Sequence, residues 1–228
     1  VNPAATQEPH MTLEGGLPAV QQCLREVETH SGRPAGSVRL VAVTKGRSLE
    51  EIRERVLAYG HYPLAENRGQ ELRDKREAAQ AQGGEDLEWH FIGPLQLNKI
   101  KYLRGVTLVH TLERLEQARE LARLAESWGR APELLIQVHN GEAQKHGVPE
   151  EGVAELRRQA EAMGLVIRGL MVMAPYGDLA EAARVFGRVA ALGARLELPE
   201  LSMGMSDDYV QAVQAGATMV RVGRALFE

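Results

Sequence analysis

Cysteine is nearly absent: Cys23 stands alone, so no internal disulfide can form and a reducing, cytoplasmic compartment is expected. No apolar run is long enough to cross a bilayer, and the opening VNPAATQEPHMTLEGG lacks the apolar core of a secretory leader. Residues 1–14 are expected to form a flexible arm. Neither sign of charge dominates. The 27 basic residues face 31 acidic ones, a formal net of −4, which gives no reason to expect a nucleic acid or a membrane as partner. The seven histidines include no close H-x₃-H pair with a third ligand, so no metal site is expected. No G-x-S-x-G, Walker A or G-x-G-x-x-G motif occurs, which removes support from those enzyme classes. No linker rich in Pro, Gly or Ser and no low-complexity tract divides the 228 residues. One domain over 15–228 is expected, burying about 70% of its unfolded surface without staples.

What is present is alternation. Eight short apolar segments follow a first amphipathic helix over about 17–31, which carries Cys23 as a packing residue. They are SVRLVAVTK (37–45), HYPLAEN (61–67), EWHFIG (88–93), TLVHT (107–111), ELLIQVH (133–139), VIRGLMVMA (166–174), ELSMG (200–204) and MVRVG (219–223). Helical patterns separate most of them. Ser48 and Glu51 have capping-box spacing, so a helix is expected from about Leu49. Further helices are expected from Pro94 to Gly105, from Thr111 to Gly129, from Pro149 to Gly164, up to Gly193, and from Ser206 to Gly216. Eight strands alternating with helices point to an α/β fold, a TIM-like (β/α)₈ barrel in a single domain with an extra N-terminal helix.

In such a barrel the chemistry sits at the carboxyl ends of the strands. Those positions carry Lys45, Glu66 and Asn67, His90, His110, His139 and Asn140, Met173, Ser202 to Ser206, and Arg221 to Gly223. Lys45 has two readings: an ammonium paired with a carboxylate, or a Schiff-base amine. His90, within WHFIG, reads by itself as a hydrogen-bonded core histidine. Asp207 and Asp208 suit the first turn of a helix without any functional role. The basic stretch NKIKYLR lacks interleaved aromatics and reads as a solvated helix face. The loops after the seventh and eighth strands, with Ser202, Gly204 and Gly223, fall where this architecture seats phosphate; alternatively Gly223 only closes a turn. A lysine across the mouth from a phosphate seat suits a ligand with a carbonyl at one end and a phosphate at the other. Pyridoxal 5′-phosphate fits, and so does the sugar phosphate of a Schiff-base aldolase.

The segments VAVTK, AENRGQEL, EWHFIGPLQLNKIK, HTLERL, IRGLMVMAP, LSMGMSDD and TMVRVGRALF resemble the pyridoxal phosphate homeostasis protein family, in order, from about 17 to 228. That family is similar in fold to the N-terminal barrel of alanine racemase. The resemblance implies a Schiff base between Lys45 and the cofactor pyridoxal 5′-phosphate. It implies a phosphate held by Ser202 and by backbone N–H groups of Gly223 and Arg224. It places Arg221 near the pyridine nitrogen, with Asn67, His90 and Met205 lining the pocket. An arginine does not give up its proton, so the ring nitrogen stays unprotonated and the ring is a weak electron sink. Two departures stand out. His139 replaces part of the family's Gln-Val-Asn, ahead of a loop one residue shorter. Arg224 stands where a small Ser or Thr is frequent.

The implied function is non-catalytic: a binding protein that holds the cofactor and takes part in vitamin B6 homeostasis, with PLP-dependent apo-enzymes as candidate recipients. Exposed Lys99 or Lys101 could supply a second, non-covalent cofactor site. The alternative is a PLP-dependent amino-acid racemase, which needs an acid–base group on each face of the bound substrate. The chain ends at Glu228 straight after RALFE, so the second domain that supplies one such group in alanine racemases is not expected, and neither is a dimer. A third reading, the aldolase, needs a carboxylate near Lys45, for which Glu66 is the candidate.

Overall fold

Each of the eight apolar segments holds one strand, the fourth strand running one residue past its segment to Leu112. The computed structural model describes residues 15–83, 86–143 and 146–228, so the expected arm lies outside the described residues. The strands are β1 (Arg39–Val43), β2 (Leu64–Glu66), β3 (Trp89–Phe91), β4 (Leu108–Leu112), β5 (Glu133–Gln137), β6 (Ile167–Met171), β7 (Glu200–Ser202) and β8 (Met219–Val222). They pair in parallel and in chain order, and β8 closes on β1 with Val41 opposite Arg221. This is the TIM-like (β/α)₈ barrel. The helices are α1 (Gly16–His30), α2 (Leu49–Arg55), α3 (Gly69–Ala81), α4 (Leu115–Trp128), α5 (Glu150–Ala162), α6 (Leu179–Arg195), α7 (Tyr209–Ala215) and α8 (Arg224–Phe227). No helix among the described residues is long and apolar enough to cross a membrane.

Successive strand residues point to opposite faces, and both faces are buried, so the strands show no polar alternation in sequence. Val41, Ala65, Leu108, Leu135, Met171 and Met219 fill the barrel interior. Their neighbours Leu40, Ala42, Leu134, Ile136, Leu170 and Val220 belong to the outer core, with Ile52, Leu72, Leu121, Val153 and Val189 from the helices. Helix α1 packs on α7 and α8. It is anchored by buried Glu28, whose carboxylate accepts from the N–H groups of Gly36 and Val38, both at 2.7 Å. Cys23 is buried on this helix beside Tyr209, and burial raises its thiol pKa, as suits a packing residue.

Helix boundaries follow local chemistry. The Ser48–Glu51 capping box is formed, with Ser48 Oγ accepting from Glu51 N at 3.2 Å and Glu51 accepting from Ser48 N at 2.9 Å. Four expectations change. Thr111 belongs to β4, its hydroxyl donating to Gly93 O at 2.6 Å; α4 starts later, where Gln117 accepts from Glu113 N and Arg114 N. The stretch after Pro94 forms a 3₁₀ helix, Leu97–Leu103, not an α-helix starting at Pro94. Helix α6 runs through Gly193, where the missing side chain admits Leu201: a Cβ there would lie 3.0 Å from its Cδ2. Ser206 is not a helix cap; α7 starts at Tyr209 behind Asp208, whose Oδ1 accepts from Met205 N at 2.6 Å.

Candidate functional site

The inward positions that follow Leu108 on β4 and Met219 on β8 carry His110 and Arg221. With His90 of β3 and Ser202 of β7 they form a hydrogen-bonded chain across the barrel. Arg221 Nη1 donates to Ser202 Oγ at 2.7 Å, and its Nη2 to Val172 O at 3.2 Å. Ser202 Oγ lies 2.7 Å from His110 Nδ1. His110 Nε2 lies 2.9 Å from His90 Nδ1, and His90 Nε2 lies 2.9 Å from Glu88 Oε1. Glu88 also takes a two-oxygen bond from Arg39. His90, His110 and Ser202 are fully buried, and Arg221 is 3% exposed.

The ends of this chain fix its direction. A guanidinium only donates and a carboxylate only accepts. Ser202 therefore accepts from Arg221 and donates to His110 Nδ1. Neutral His110 then donates through Nε2–H to His90, and neutral His90 donates through Nε2–H to Glu88. The reverse arrangement would leave the Ser202 proton without an acceptor and place a second cation in the core. Burial pulls both histidine pKa values down, that of His110 well below the ordinary range. The His90 bond, helped by Arg39, holds the Glu88 carboxyl at about 2 against the opposing effect of its burial. Burial lowers the Arg221 pKa to about 10, with Asp208 opposing, so the guanidinium stays charged at neutral pH.

The rim carries the remaining candidates. Lys45 follows β1, is exposed, and makes no hydrogen bond or ion pair among the described residues. The paired-ammonium reading is therefore not what the structure has. Glu66, the carboxylate the aldolase reading needs near Lys45, is bound to Lys75 Nζ at 2.7 Å and to Thr44 Oγ1 at 2.5 Å. The end of β1 and the turn after β8 adjoin: a Cβ on Gly223 would stand 3.2 Å from Val43 Cβ. The turn after β7 is tied to β8 by Arg221 N donating to Gly204 O at 2.9 Å, and Gly204 needs its φ of +98° to make that turn. Asn67 is half-buried, and its carbonyl packs so closely on Gly93 that a Cβ there would collide with it. Met205 is half-buried in the turn after β7.

Three of the expected site residues have side chains engaged with other protein groups. Ser202 faces the barrel interior, its oxygen and its proton both engaged. The hydroxyl left at the rim of this turn is that of Ser206, half-buried and with no hydrogen bond among the described residues. His90 lies within the barrel as a bonded core histidine. The Arg224 guanidinium is exposed and bridges the two turns by donating to Asp207 Oδ1 at 2.8 Å. His139, the departure ahead of the β5 turn, accepts at Nδ1 from Gly141 N at 3.0 Å. The sequence placed Ser206 among the strand-end positions and as a helix cap but gave it no ligand role, and it did not disclose the chain through His110. Polar residues at inward positions of facing strands were its available signal.

Residues 16–228 match the family described as alanine racemase, N-terminal domain. A pyridoxal phosphate homeostasis protein from Deinococcus radiodurans is 60% identical over 211 residues, which are 92% of this chain and 99% of that protein. The chain belongs to the pyridoxal phosphate homeostasis protein family. Another member, from Aquifex aeolicus, is 38% identical over 92% of this chain and 95% of its own length. The solved structure of PipY from Synechococcus elongatus with PLP bound superposes with a TM-score of 0.76 at 36% identity, covering 90% of this chain and 98% of that one. An alanine racemase from Clostridium difficile aligns with a TM-score of 0.66 at 14% identity over 90% of this chain but 55% of that chain, a likeness of fold alone.

Proposed function

We propose that this chain binds pyridoxal 5′-phosphate at the carboxyl-end mouth of the barrel, as a Schiff base on Lys45, and keeps and delivers the cofactor without turning over a substrate. The observation that carries the reading is the exposed, unpaired Lys45 amine on the strand end that adjoins Gly223. Its neutral form adds to an aldehyde carbon, and a water molecule leaves as the C=N bond forms. The residues fit the group. Gly223 leaves the backbone open to an anion, and the N–H groups of Gly223 and Arg224 with the Ser206 hydroxyl are its proposed holders. Arg221 is proposed to face the ring nitrogen and Asn67 and Met205 to line the ring. Bound, the cofactor supplies a reactive aldehyde and an electron sink. Arg221 only donates, so it keeps a ring nitrogen unprotonated and that sink shallow. PipY, solved with PLP, supports the ligand.

The homeostasis role rests on the relatives, of which one is 60% identical and matched over 99% of its length. Monomeric state, cytoplasmic location and apo-enzyme recipients belong to the same proposal. Titration with pyridoxal 5′-phosphate tests it. The chain should develop the visible band of a protonated Schiff base and lose it in Lys45→Ala. D- and L-alanine should keep their chirality when incubated with the loaded protein; steady racemisation on the order of 10 per second would make it an enzyme.

A further inference from the structure

Lys45 itself is unpaired, yet the backbone on both sides of it is gripped from α3. Lys75 Nζ donates to Thr44 O at 2.7 Å, one residue before. Glu71 Oε1 accepts from Gly46 N at 2.7 Å, one residue after. Residues 71 and 75 are one helical turn apart, and Lys75 also donates to Glu71 at 3.0 Å. With its bond to Glu66, every Lys75 proton has an acceptor, and its side chain is 11% exposed. Thr44 Oγ1 closes on the same Glu66 oxygen.

Packing alone does not require this cluster, because Leu72 and Ala79 already bury the apolar face of α3. It also carries a cost. Glu66 Oε2 is buried with no partner, and burial raises the Glu66 pKa against the opposing effects of Lys75 and Thr44. Burial also works against the Glu71 carboxylate, but the Gly46 N–H and Lys75 outweigh it and its pKa is lowered. Gly46 has φ +72, so the chain turns sharply there and its N–H would otherwise face solvent.

We propose that Lys75 and Glu71 are positioning residues for Lys45. They splint the Thr44–Gly46 backbone, so that the Lys45 Cα is fixed while its amine stays free to react. This rests on the reading of Lys45 as the cofactor amine. A held Cα keeps the amine close to where an aldehyde must sit, and a displacement near 1 Å costs on the order of 100-fold in such reactions.

The test uses the full chain and the variants Glu71→Ala and Glu71→Gln. One readout is the rate at which pyridoxal 5′-phosphate becomes trapped on Lys45 by borohydride. The other, taken without cofactor, is amide exchange at Gly46 by NMR. Glu71→Ala should slow trapping at least about tenfold and speed Gly46 exchange. Glu71→Gln, whose amide oxygen still accepts from Gly46, should restore both. Lys75→Met alone strands Glu66, so Lys75→Met with Glu66→Leu removes both buried charges and should also trap slowly. If Glu71→Ala traps as fast as the wild type, or if Glu71→Gln fails as badly as alanine, the splint is overturned. A wild-type chain that traps nothing on Lys45 overturns instead the function on which the splint rests.

Discussion

Ser202→Ala is the sharpest perturbation of the barrel interior, because it removes one oxygen atom that serves two buried partners. Arg221 Nη1 and His110 Nδ1 each lie 2.7 Å from that oxygen. Neither has water at hand, since His110 is fully buried and Arg221 is 3% exposed. Leaving the imidazole nitrogen unsatisfied costs about 1–3 kcal/mol, and a charged N–H costs rather more. Together the loss is about 3–5 kcal/mol, set against a total stability of about 5–15 kcal/mol. For a chain of this size each kcal/mol moves the melting temperature by about 2–4 °C, so the variant should melt roughly 6–20 °C lower. Ser206→Ala is the control: the same change four residues on, in the turn after β7, at a hydroxyl with no partner among the described residues, should cost less than about 0.5 kcal/mol. Differential scanning calorimetry of the cofactor-free proteins compares the two. A Ser202→Ala melt within about 2 °C of the wild type would refute the polarised chain through His110 and His90.

Acidification acts on the same chain. Burial holds the folded pKa values of His90 and His110 below their unfolded values, so their contribution is complete above about pH 6.5 and falls as pH drops below it. Glu66, raised by burial, works the other way: its folded carboxyl takes up a proton before the unfolded one does, so acidification through that raised value stabilises the fold, and the gain is complete below the unfolded value near 4.5. Urea midpoints should therefore decline between about pH 6.5 and 5, by at most about 2.7 kcal/mol per unit for two histidines; a flat profile would contradict neutral histidines. Glycines separate by surroundings. Gly93→Ala puts a Cβ into the Asn67 carbonyl and should cost more than about 3 kcal/mol. Gly187→Ala, within α6 and with nothing in reach of its Cβ, should stabilise by about 0.5–1 kcal/mol, and equal effects in the two variants would oppose this packing.

The strands were legible because each is a short apolar run between turn residues, and burial on both faces removes the polar alternation that would otherwise mislead. Helix ends were legible where one local device decides them, as at the Ser48–Glu51 box and at Gly129 and Gly216 in left-handed conformation. They were not legible where a tertiary contact decides, as at Gly193, a packing contact for Leu201, or Thr111, drawn into β4 by the Gly93 carbonyl. The same division holds at the site. Lys45 and Gly223 follow from their places after β1 and β8. His90 reads from WHFIG as the core histidine it is, but the inward turn of Ser202 does not, because whether a polar side chain near a strand end faces the mouth or the interior depends on partners distant in sequence. His110 and Ser202 are separated by 92 positions along the chain. The Lys75–Glu66–Thr44 cluster is likewise a contact between elements, and no local pattern in the sequence announces it.

Reduction of the cofactor-loaded chain with borohydride, followed by proteolysis and mass mapping, tests most directly whether Lys45 is the amine that holds pyridoxal 5′-phosphate. The account predicts one labelled peptide, the one containing Lys45, and none in Lys45→Ala. A label on Lys75 or elsewhere, or one that survives in Lys45→Ala, would contradict it.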